Sequence, residues 1–170
     1  NEFAPTNPLS VYGKSKLAGE QFVRDLHSKF FIVRTSWVYG KHGNNFVKTM
    51  LKLAQERDHL MVVNDQVGCP TYTVDLANCI LELLQTEKYG IYHVSNSGYC
   101  SWYEFAKAIF EEAGIEVKVN PCTTKDFPRP APRPAYSVFE HMSLQLNGFP
   151  NMRLWSQALK AFLSSINLGK

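Results

Sequence analysis

The chain has 170 residues, of which 45% are hydrophobic and 19% charged, and its formal net charge at pH 7 is +3. This length is enough for a hydrophobic core, and the composition is ordinary for a globular protein. The basic residues form no run and no apolar stretch approaches the length of a membrane span, so we expect a cytoplasmic protein without nucleic-acid or membrane partners.

The first part of the chain predicts two helices and two strands. Apolar periodicity indicates a helix from about Val11 to Leu26, with Ser10 as an entry signal. The run "FFIVRT" is β-branched and aromatic, which predicts a buried strand. A second helix is predicted in "NNFVKTMLKLAQE", where Asn44 or Asn45 could be the N-cap, and "LMVV" predicts the second strand.

The rest of the chain continues this alternation. The turn-rich "NDQVGCPTY" is followed by a helix in "TVDLANCILELLQ", a strand in "GIYHVS" and a helix in "SWYEFAKAIFEEAG". Ser101 and Glu104 form a capping box at the start of the last of these helices, and Gly114 lies at its end. After a strand in "VKVNP", the proline-rich "FPRPAPRPAYS" must be extended or looped, and two short helices follow.

Strands that alternate with helices predict an α/β fold with parallel strand pairing. No strand precedes the first helix, so the first half of such a sheet is missing from this sequence. The sequence also contains no glycine-rich turn of the kind that binds dinucleotides between a strand and a helix. We therefore expect the chain to be a fragment of a longer protein.

The four cysteines give no indication of a metal site or of disulfides. Their spacings do not match those of zinc ligands, and no signal peptide is apparent. We expect reduced thiols in the core or in loops, because free cysteine is among the residues most often buried.

Two tyrosine–lysine pairs of equal spacing are the candidate catalytic groups. Tyr12 and Lys16 lie in "VYGKSKLAGE", and Tyr103 and Lys107 lie in "YEFAK". Residues four apart share a helix face, so the spacing alone does not separate the two pairs. Tyr103 and Lys107 fall beside the apolar stripe of their helix, next to Glu104, which is typical of a solvated face.

Tyr12 and Lys16 lie at the edge of an apolar stripe that is centred on small residues and that we expect to be a packed face. A tyrosine in this position can face a cleft, although a boundary tyrosine beside a solvent-reaching lysine shows the same pattern. A free tyrosine titrates near pH 10, and lowering that by about 3 units requires roughly 4 kcal/mol. A lysine charge about 5 Å away supplies roughly 3 kcal/mol at an effective dielectric constant near 20. The pair is therefore suited to proton exchange with a carbonyl or hydroxyl oxygen.

A series of stretches along the chain is similar to one enzyme family. In order they are "NPLSVYGKSKLAGE", "VRTSWVYG", "NNF", "DQVGCPTYTVDLA", "GIYHVSNSG", "SWYEFA" and "APRPAYS". Together they resemble the dTDP-4-dehydrorhamnose reductases, which belong to the extended short-chain dehydrogenase/reductase family. The similarity runs over nearly the whole chain.

The resemblance implies the C-terminal part of a Rossmann-type doubly wound parallel sheet, together with a small mixed α/β substrate-binding region. Residues 1–63 would form the sheet part with the Tyr12–Lys16 helix. Residues 64–170 would mainly bind the dTDP-sugar and would be interleaved with the sheet. The family's glycine-rich cofactor turn and its third catalytic residue, a serine or threonine, precede the tyrosine helix and are absent here.

The resemblance also implies a reaction, the NADPH- or NADH-dependent reduction of the C4 ketone of dTDP-4-dehydro-L-rhamnose to dTDP-L-rhamnose. Tyr12 matches the family's proton donor. Lys16 matches the lysine that lowers the pKa of that donor and holds the nicotinamide ribose. Thr35 and Ser36 would lie beside the nicotinamide.

Four further residues match substrate-binding positions of the family. Trp37 follows a strand and would stack on the sugar, with core packing as the alternative. Asn45 starts a helix and would reach the sugar nucleotide. Gln66 would contact the substrate or stabilise its turn. Arg133 would pair with the diphosphate, for which a planar guanidinium is well suited, and Arg129 is the rival for that role.

Three functional readings stay open at this point. The first is the C-terminal portion of the reductase, inactive by itself. The second is another sugar-nucleotide epimerase or dehydratase of the same superfamily. The third is a non-catalytic sugar-nucleotide-binding or regulatory subunit.

We also expect self-association or a homodimer, because the strand in "FFIVRT" would expose an edge. Magnesium is described at a dimer contact in the family, but the sequence shows no carboxylate cluster to hold it.

Overall fold

The computed structural model of the chain describes residues 1–128, 131 and 133–166. Its α-helices are α1 (Val11–Leu26), α2 (Phe46–Glu56), α3 (Thr73–Leu84), α4 (Trp102–Ala113), α5 (Met142–Leu146) and α6 (Trp155–Ser165). Its strands are β1 (Phe31–Arg34), β2 (Val38–Tyr39), β3 (His59–Val63), β4 (Val67–Gly68), β5 (Thr71–Tyr72), β6 (Gly90–His93), β7 (Cys100–Ser101), β8 (Lys118–Cys122) and β9 (Tyr136–Ser137). A short 3-10 helix covers Thr124–Asp126. The predicted helices and longer strands are confirmed.

Most strand pairs are parallel, as the alternation of strands and helices predicted. β1 pairs with β6, β2 with β5 and β3 with β8, and β4 pairs with β9. The exception is the antiparallel pair of β4 with β7. Strands from the first 63 residues thus pair with strands from the rest of the chain, and the division at residue 63 stays a prediction.

Helix α4 packs at the centre of the main hydrophobic core. Its buried side chains include Phe105, Ile109 and Phe110, which confirms the apolar stripe predicted for this helix. Ser101 and Glu104 form the predicted capping box, which satisfies backbone N–H groups at the first turn. Each large apolar side chain buried in this way contributes about 1.5–3 kcal/mol.

Helix α1 has the predicted bounds but not the predicted packing. The Ser10 side chain accepts a hydrogen bond from the N–H of Gly13, which caps its first turn. None of its residues is buried, and Val11, Phe22 and Leu26 are 83%, 65% and 75% exposed. The expectation that this stripe is a packed face is therefore wrong for the described structure. Self-association through such surfaces stays a prediction.

All four cysteines are buried and unpaired, as expected from the sequence. Burial raises the pKa of the Cys79 thiol to about 11, so this thiol is protonated at neutral pH. In the part of the chain that the structure describes, no group of three His, Cys, Asp or Glu side chains is placed to hold a metal ion. None of the helices in that part is both long and apolar enough to cross a membrane.

Candidate functional site

The Tyr12–Lys16 pair lies on the first turns of α1. Tyr12 is 72% exposed, and Lys16 Nζ lies 5.5 Å from the centroid of its ring. The Tyr103–Lys107 pair has nearly the same geometry, with Nζ 5.8 Å from the ring centroid. Tyr103 is half-buried against the main core, whereas Glu104 and Lys107 are exposed, so the predicted solvated face holds for the charged residues but not for the tyrosine. The surroundings, and not the pair geometry, separate the two candidates.

A buried carboxylate fixes the segment that leads into α1. Glu2 is 8% exposed, and its Oε1 accepts hydrogen bonds from the backbone N–H groups of His93 at 3.0 Å and Ser143 at 3.2 Å. The loop before Tyr12 is thereby tied to the end of β6 and the start of α5. Burial lowers the pKa of the neighbouring imidazole of His93, although the charge of Glu2 acts in the opposite direction. No local sequence pattern indicates this contact, because its partners are far apart in the chain.

The segment after β1 carries three of the predicted site residues. Thr35 is exposed at the end of the strand. Ser36 is half-buried, and its hydroxyl donates to the carbonyl of Cys69 at 2.9 Å. This hydrogen bond holds the segment against the loop that precedes β5.

Trp37 has an unusual backbone and a tightly packed ring. Its φ of 48° lies in the left-handed region, which costs roughly 1–3 kcal/mol for a residue of this size and is held by the surrounding structure. The indole stacks on that of Trp102 with centroids 3.5 Å apart and planes 6° from parallel. Gly68 lies against the same indole, and a Cβ built there would be 2.6 Å from Trp37 Cε2.

Two adjoining cavities open beside this tryptophan pair. One, of about 380 Å³, is mostly apolar and is walled by the aromatic rings of Phe46, Trp102 and Phe127. The other, of about 310 Å³, is lined by Trp37 and Trp102 together with polar groups. Gln66 and Arg133 line both cavities. An apolar cleft with a few polar groups at its edge is the usual form of a small-molecule site.

Hydrogen bonds fix Gln66 in the wall that the two cavities share. Gln66 is 7% exposed, and its Nε2 donates to Thr124 Oγ1 at 2.9 Å. Asp65 accepts hydrogen bonds from the backbone and hydroxyl of Thr124, and these lower the pKa of its carboxyl group. The loop after β3 is thus tied to the segment after β8.

Arg133 lies at the edge of both cavities. It is exposed and makes no hydrogen bond or ion pair with the residues that the structure describes. Its rival for the diphosphate, Arg129, lies outside the described residues.

Asn45 is occupied by a structural task. Its Oδ1 accepts from the N–H of Lys48 at 3.1 Å, which caps α2, and its Nδ2 donates to the carbonyl of Gly40 at 2.9 Å. The sequence prediction of an N-cap at this position is confirmed. The predicted contact with a sugar nucleotide stays a prediction, and it would compete with these two hydrogen bonds.

The structure therefore brings together Trp37, Gln66 and Arg133, while Tyr12 and Lys16 are not among the residues that line the two cavities. Trp102 is the residue that sequence reasoning missed. Its helical periodicity assigned it to the apolar stripe of α4, and no local pattern reveals a stack with a residue 65 positions away.

The fold and the cavities define an α/β domain with a cleft at strand ends, between aromatic walls and a cation, which is the usual form of a small-molecule site. The chain belongs to the family described as the RmlD substrate binding domain, whose model matches residues 1–168.

Relatives of known name agree with this family. The chain is 50% identical over 159 residues to the spore coat polysaccharide biosynthesis protein SpsK of Bacillus subtilis, which covers 94% of the chain and 56% of that protein. It is 41% identical over 172 residues to the dTDP-4-dehydrorhamnose reductase of Escherichia coli, covering 95% of the chain and 58% of the relative. The chain thus spans less than two thirds of the length of the curated relatives that it matches.

Solved structures share the fold closely. The dTDP-4-dehydrorhamnose reductase of Bacillus anthracis, solved in complex with NADP, has a TM-score of 0.95 and 54% identity, covering 97% of this chain and 59% of that chain. The orthologue from Clostridium acetobutylicum has a TM-score of 0.96 and 51% identity, covering 98% and 59%. The UDP-glucose 4-epimerase of Thermus thermophilus has a TM-score of 0.78 at 21% identity, which shows the fold alone.

Proposed function

We propose that the chain is the substrate-binding part of a reductase that converts dTDP-4-dehydro-L-rhamnose to dTDP-L-rhamnose with NADPH or NADH. The observation that carries the proposal is the pair of cavities at which Trp37, Gln66 and Arg133 meet. Relatives named dTDP-4-dehydrorhamnose reductase, at 40–45% identity over most of this chain, support it.

The cavities suit the parts of a dTDP-sugar. The apolar cavity, with aromatic rings on several sides, would take the thymine base, because a flat base gains most from aromatic contact. The exposed guanidinium of Arg133 would pair with the diphosphate. The sugar would then lie in the neighbouring cavity beside Trp37, with the Gln66 amide as a polar contact.

The reacting groups would lie on α1 and at the end of β1. The nicotinamide, when bound, supplies hydride to C4. Tyr12 would donate its phenol proton to the C4 oxygen, and the ammonium of Lys16 would stabilise the phenolate that remains. The described residues fit the nicotinamide end of such a cofactor, because Thr35 is exposed and the oxygen of Ser36 can still accept a hydrogen bond.

A chimera provides the test of this proposal. It joins the chain to the part of the Bacillus anthracis reductase that the chain does not cover. We expect the chimera to oxidise NADPH with dTDP-4-dehydro-L-rhamnose and to leave dTDP-glucose and UDP-glucose unchanged. Conversion of either glucose derivative would favour the epimerase or dehydratase reading. Binding of dTDP without any turnover would favour the non-catalytic reading, and absence of dTDP binding would contradict the proposal altogether.

Replacing Trp37 tests whether this residue contacts the sugar and not the cofactor. We expect Trp37→Ala in the chimera to raise KM for the nucleotide sugar about tenfold, which corresponds to about 1.4 kcal/mol of lost contact, and to change KM for NADPH much less. Trp155→Ala is the matched control, because Trp155 packs on Phe105 in the core and lines neither cavity. If both KM values rise equally in steady-state kinetics, Trp37 serves only to pack the core and does not contact the sugar.

Replacing Arg133 tests the diphosphate contact on the chain itself. We expect Arg133→Ala to weaken dTDP binding roughly 10- to 100-fold, because hydrogen bonds to charged groups are worth about 1.5–3 kcal/mol. Arg57→Ala removes an exposed arginine that lines neither cavity and should leave the affinity unchanged. Equal dTDP affinities for Arg133→Ala and the unaltered chain in calorimetry would exclude the diphosphate role.

A further inference from the structure

One ion pair ties α1 to the rest of the described structure. None of the helix's residues is buried, and within the described residues its only side-chain hydrogen bonds to another element are those of Glu20. Arg34, the last residue of β1, donates from Nε to Glu20 Oε1 at 2.8 Å and from Nη2 to Oε2 at 2.5 Å. Both side chains are 19% exposed, so water screens the pair only in part. A two-point pair of this kind fixes orientation as well as distance.

This ion pair joins the two halves of the proposed reaction centre. Glu20 lies four residues after Lys16 and eight after Tyr12, which places all three on one face of α1. Arg34 is followed directly by Thr35, the first of the residues proposed to lie beside the nicotinamide. A movement of α1 against β1 would therefore change the distance from the phenol to the cofactor.

The spacing also allows Lys16 and Glu20 to pair with each other. Lys52 and Glu56 in α2 have the same order and spacing, and their N and O atoms lie 3.9 Å apart. Arg34 instead occupies both carboxylate oxygens of Glu20. Without Arg34, the carboxylate could turn to Lys16 and offset the charge that the proposed proton transfer requires there.

The other charged groups near the pair leave Arg34 ionised. Its hydrogen bond to Glu20 and the charges of Glu20 and Glu2 raise the pKa of the guanidinium. On the far side stands His93 of β6, whose pKa burial lowers. On α1 itself, Arg24 lies four residues after Glu20 and is exposed. Arg34 therefore keeps the positive charge that its link to Glu20 requires.

We propose that Arg34 is a positioning residue for the Tyr12–Lys16 pair. It holds the Glu20 carboxylate on β1 and away from Lys16, and it thereby fixes both the place of α1 and the positive charge beside the phenol. The inference rests on the proposed role of Tyr12 and Lys16 in proton transfer.

The charge effect can be measured on the chain without any turnover, by an NMR titration of the Lys16 side chain. In Arg34→Gln we expect the midpoint of this titration to move to higher pH by roughly half a unit or more, because a carboxylate then stabilises the ammonium. In the double variant Glu20→Gln/Arg34→Gln the midpoint should return to its original value. Arg24→Gln is the control and should leave it in place. An unchanged midpoint in Arg34→Gln would overturn the charge effect.

The positional effect is measured in the chimera. Arg34→Gln should raise KM for NADPH and lower kcat, and it should move the alkaline limb of the kcat profile to higher pH. In Glu20→Gln/Arg34→Gln the alkaline limb of the kcat profile should return to its original pH, while KM for NADPH stays high because no ion pair links α1 to β1. Arg34→Lys keeps a positive charge for Glu20 but cannot donate two parallel hydrogen bonds to the carboxylate. It should therefore leave the alkaline limb in place and still raise KM for NADPH.

The outcomes distinguish this inference from the proposed function. Suppose that Tyr12→Phe lowers kcat as expected, but that Arg34→Gln leaves the Lys16 titration, the alkaline limb of the kcat profile and KM for NADPH unchanged. The proposed role of Arg34 is then wrong, and the proposed function stands. If Tyr12→Phe leaves turnover intact, the proposed function of Tyr12 fails whatever Arg34 does.

Discussion

We expect Tyr12→Phe to lower kcat of the chimera roughly 10²- to 10⁴-fold, the range typical for the loss of a general acid. The substitution removes one hydroxyl from a side chain that is 72% exposed, so the fold should not change. The hydride can still be delivered, but the proposed proton donor to the C4 oxygen is gone. Because the phenol does not line the cavities that would hold the nucleotide, KM for the nucleotide sugar should stay near its original value.

Tyr103→Phe is a closely matched control. Its phenol has the same relation to a lysine four residues on, with Nζ 5.8 Å from the ring centroid. Tyr103 packs against the main core and lines neither cavity, so its turnover should be close to that of the unaltered chimera. Steady-state kinetics with less than a tenfold loss in kcat for Tyr12→Phe would remove Tyr12 from the mechanism.

The helices were predictable because their ends carry local signals. Ser10, Asn45 and Ser101 each cap a helix with their own side chains, and Gly114 ends α4 with a φ of 65°. Such contacts span a few residues, so the sequence alone contains them. The two-residue strands were not predictable, because each depends on a partner far along the chain, as in the pairing of β4 with both β7 and β9.

The packing of α1 shows where periodicity stops being informative. Its apolar stripe is regular, yet Val11 and Leu26 are among the more exposed apolar residues of the described chain. A stripe indicates which face of a helix is apolar, and it does not indicate what covers that face.

The candidate site could be predicted only in part, because some of its contacts join residues that are far apart in the sequence. Residue type and resemblance identified Trp37, Gln66 and Arg133, and the structure places all three around adjoining cavities. The stack of Trp37 on Trp102 and the tie between Glu20 and Arg34 are tertiary contacts. Neither has a signature in sequence spacing, and both bear on how the proposed site would work.

The close approach of Gly68 to Trp37 leads to the largest effect that we expect at the cavities. A Cβ at Gly68 would lie 2.6 Å from Trp37 Cε2, 2.7 Å from its Nε1 and 2.8 Å from Ser137 Oγ. The indole cannot retreat freely, because its ring is stacked on Trp102 and its backbone is already strained at a φ of 48°. Gly68→Ala should therefore displace Trp37 and lower the free energy of unfolding by roughly 1–3 kcal/mol, the usual cost of overpacking.

Gly19→Ala is the matched control for Gly68→Ala, because it makes the same chemical change at an open position. A Cβ at Gly19 meets no atom within 4 Å, and the residue lies in the interior of α1. This substitution should raise the free energy of unfolding by roughly 0.5–1 kcal/mol, because alanine favours a helix. Urea unfolding of both variants measures the two effects, and calorimetry with dTDP-L-rhamnose should show weaker binding for Gly68→Ala alone. If Gly68→Ala unfolds and binds dTDP-L-rhamnose like the unaltered chain, the indole is free to move, and Trp37 is not the fixed wall that the proposed sugar site requires.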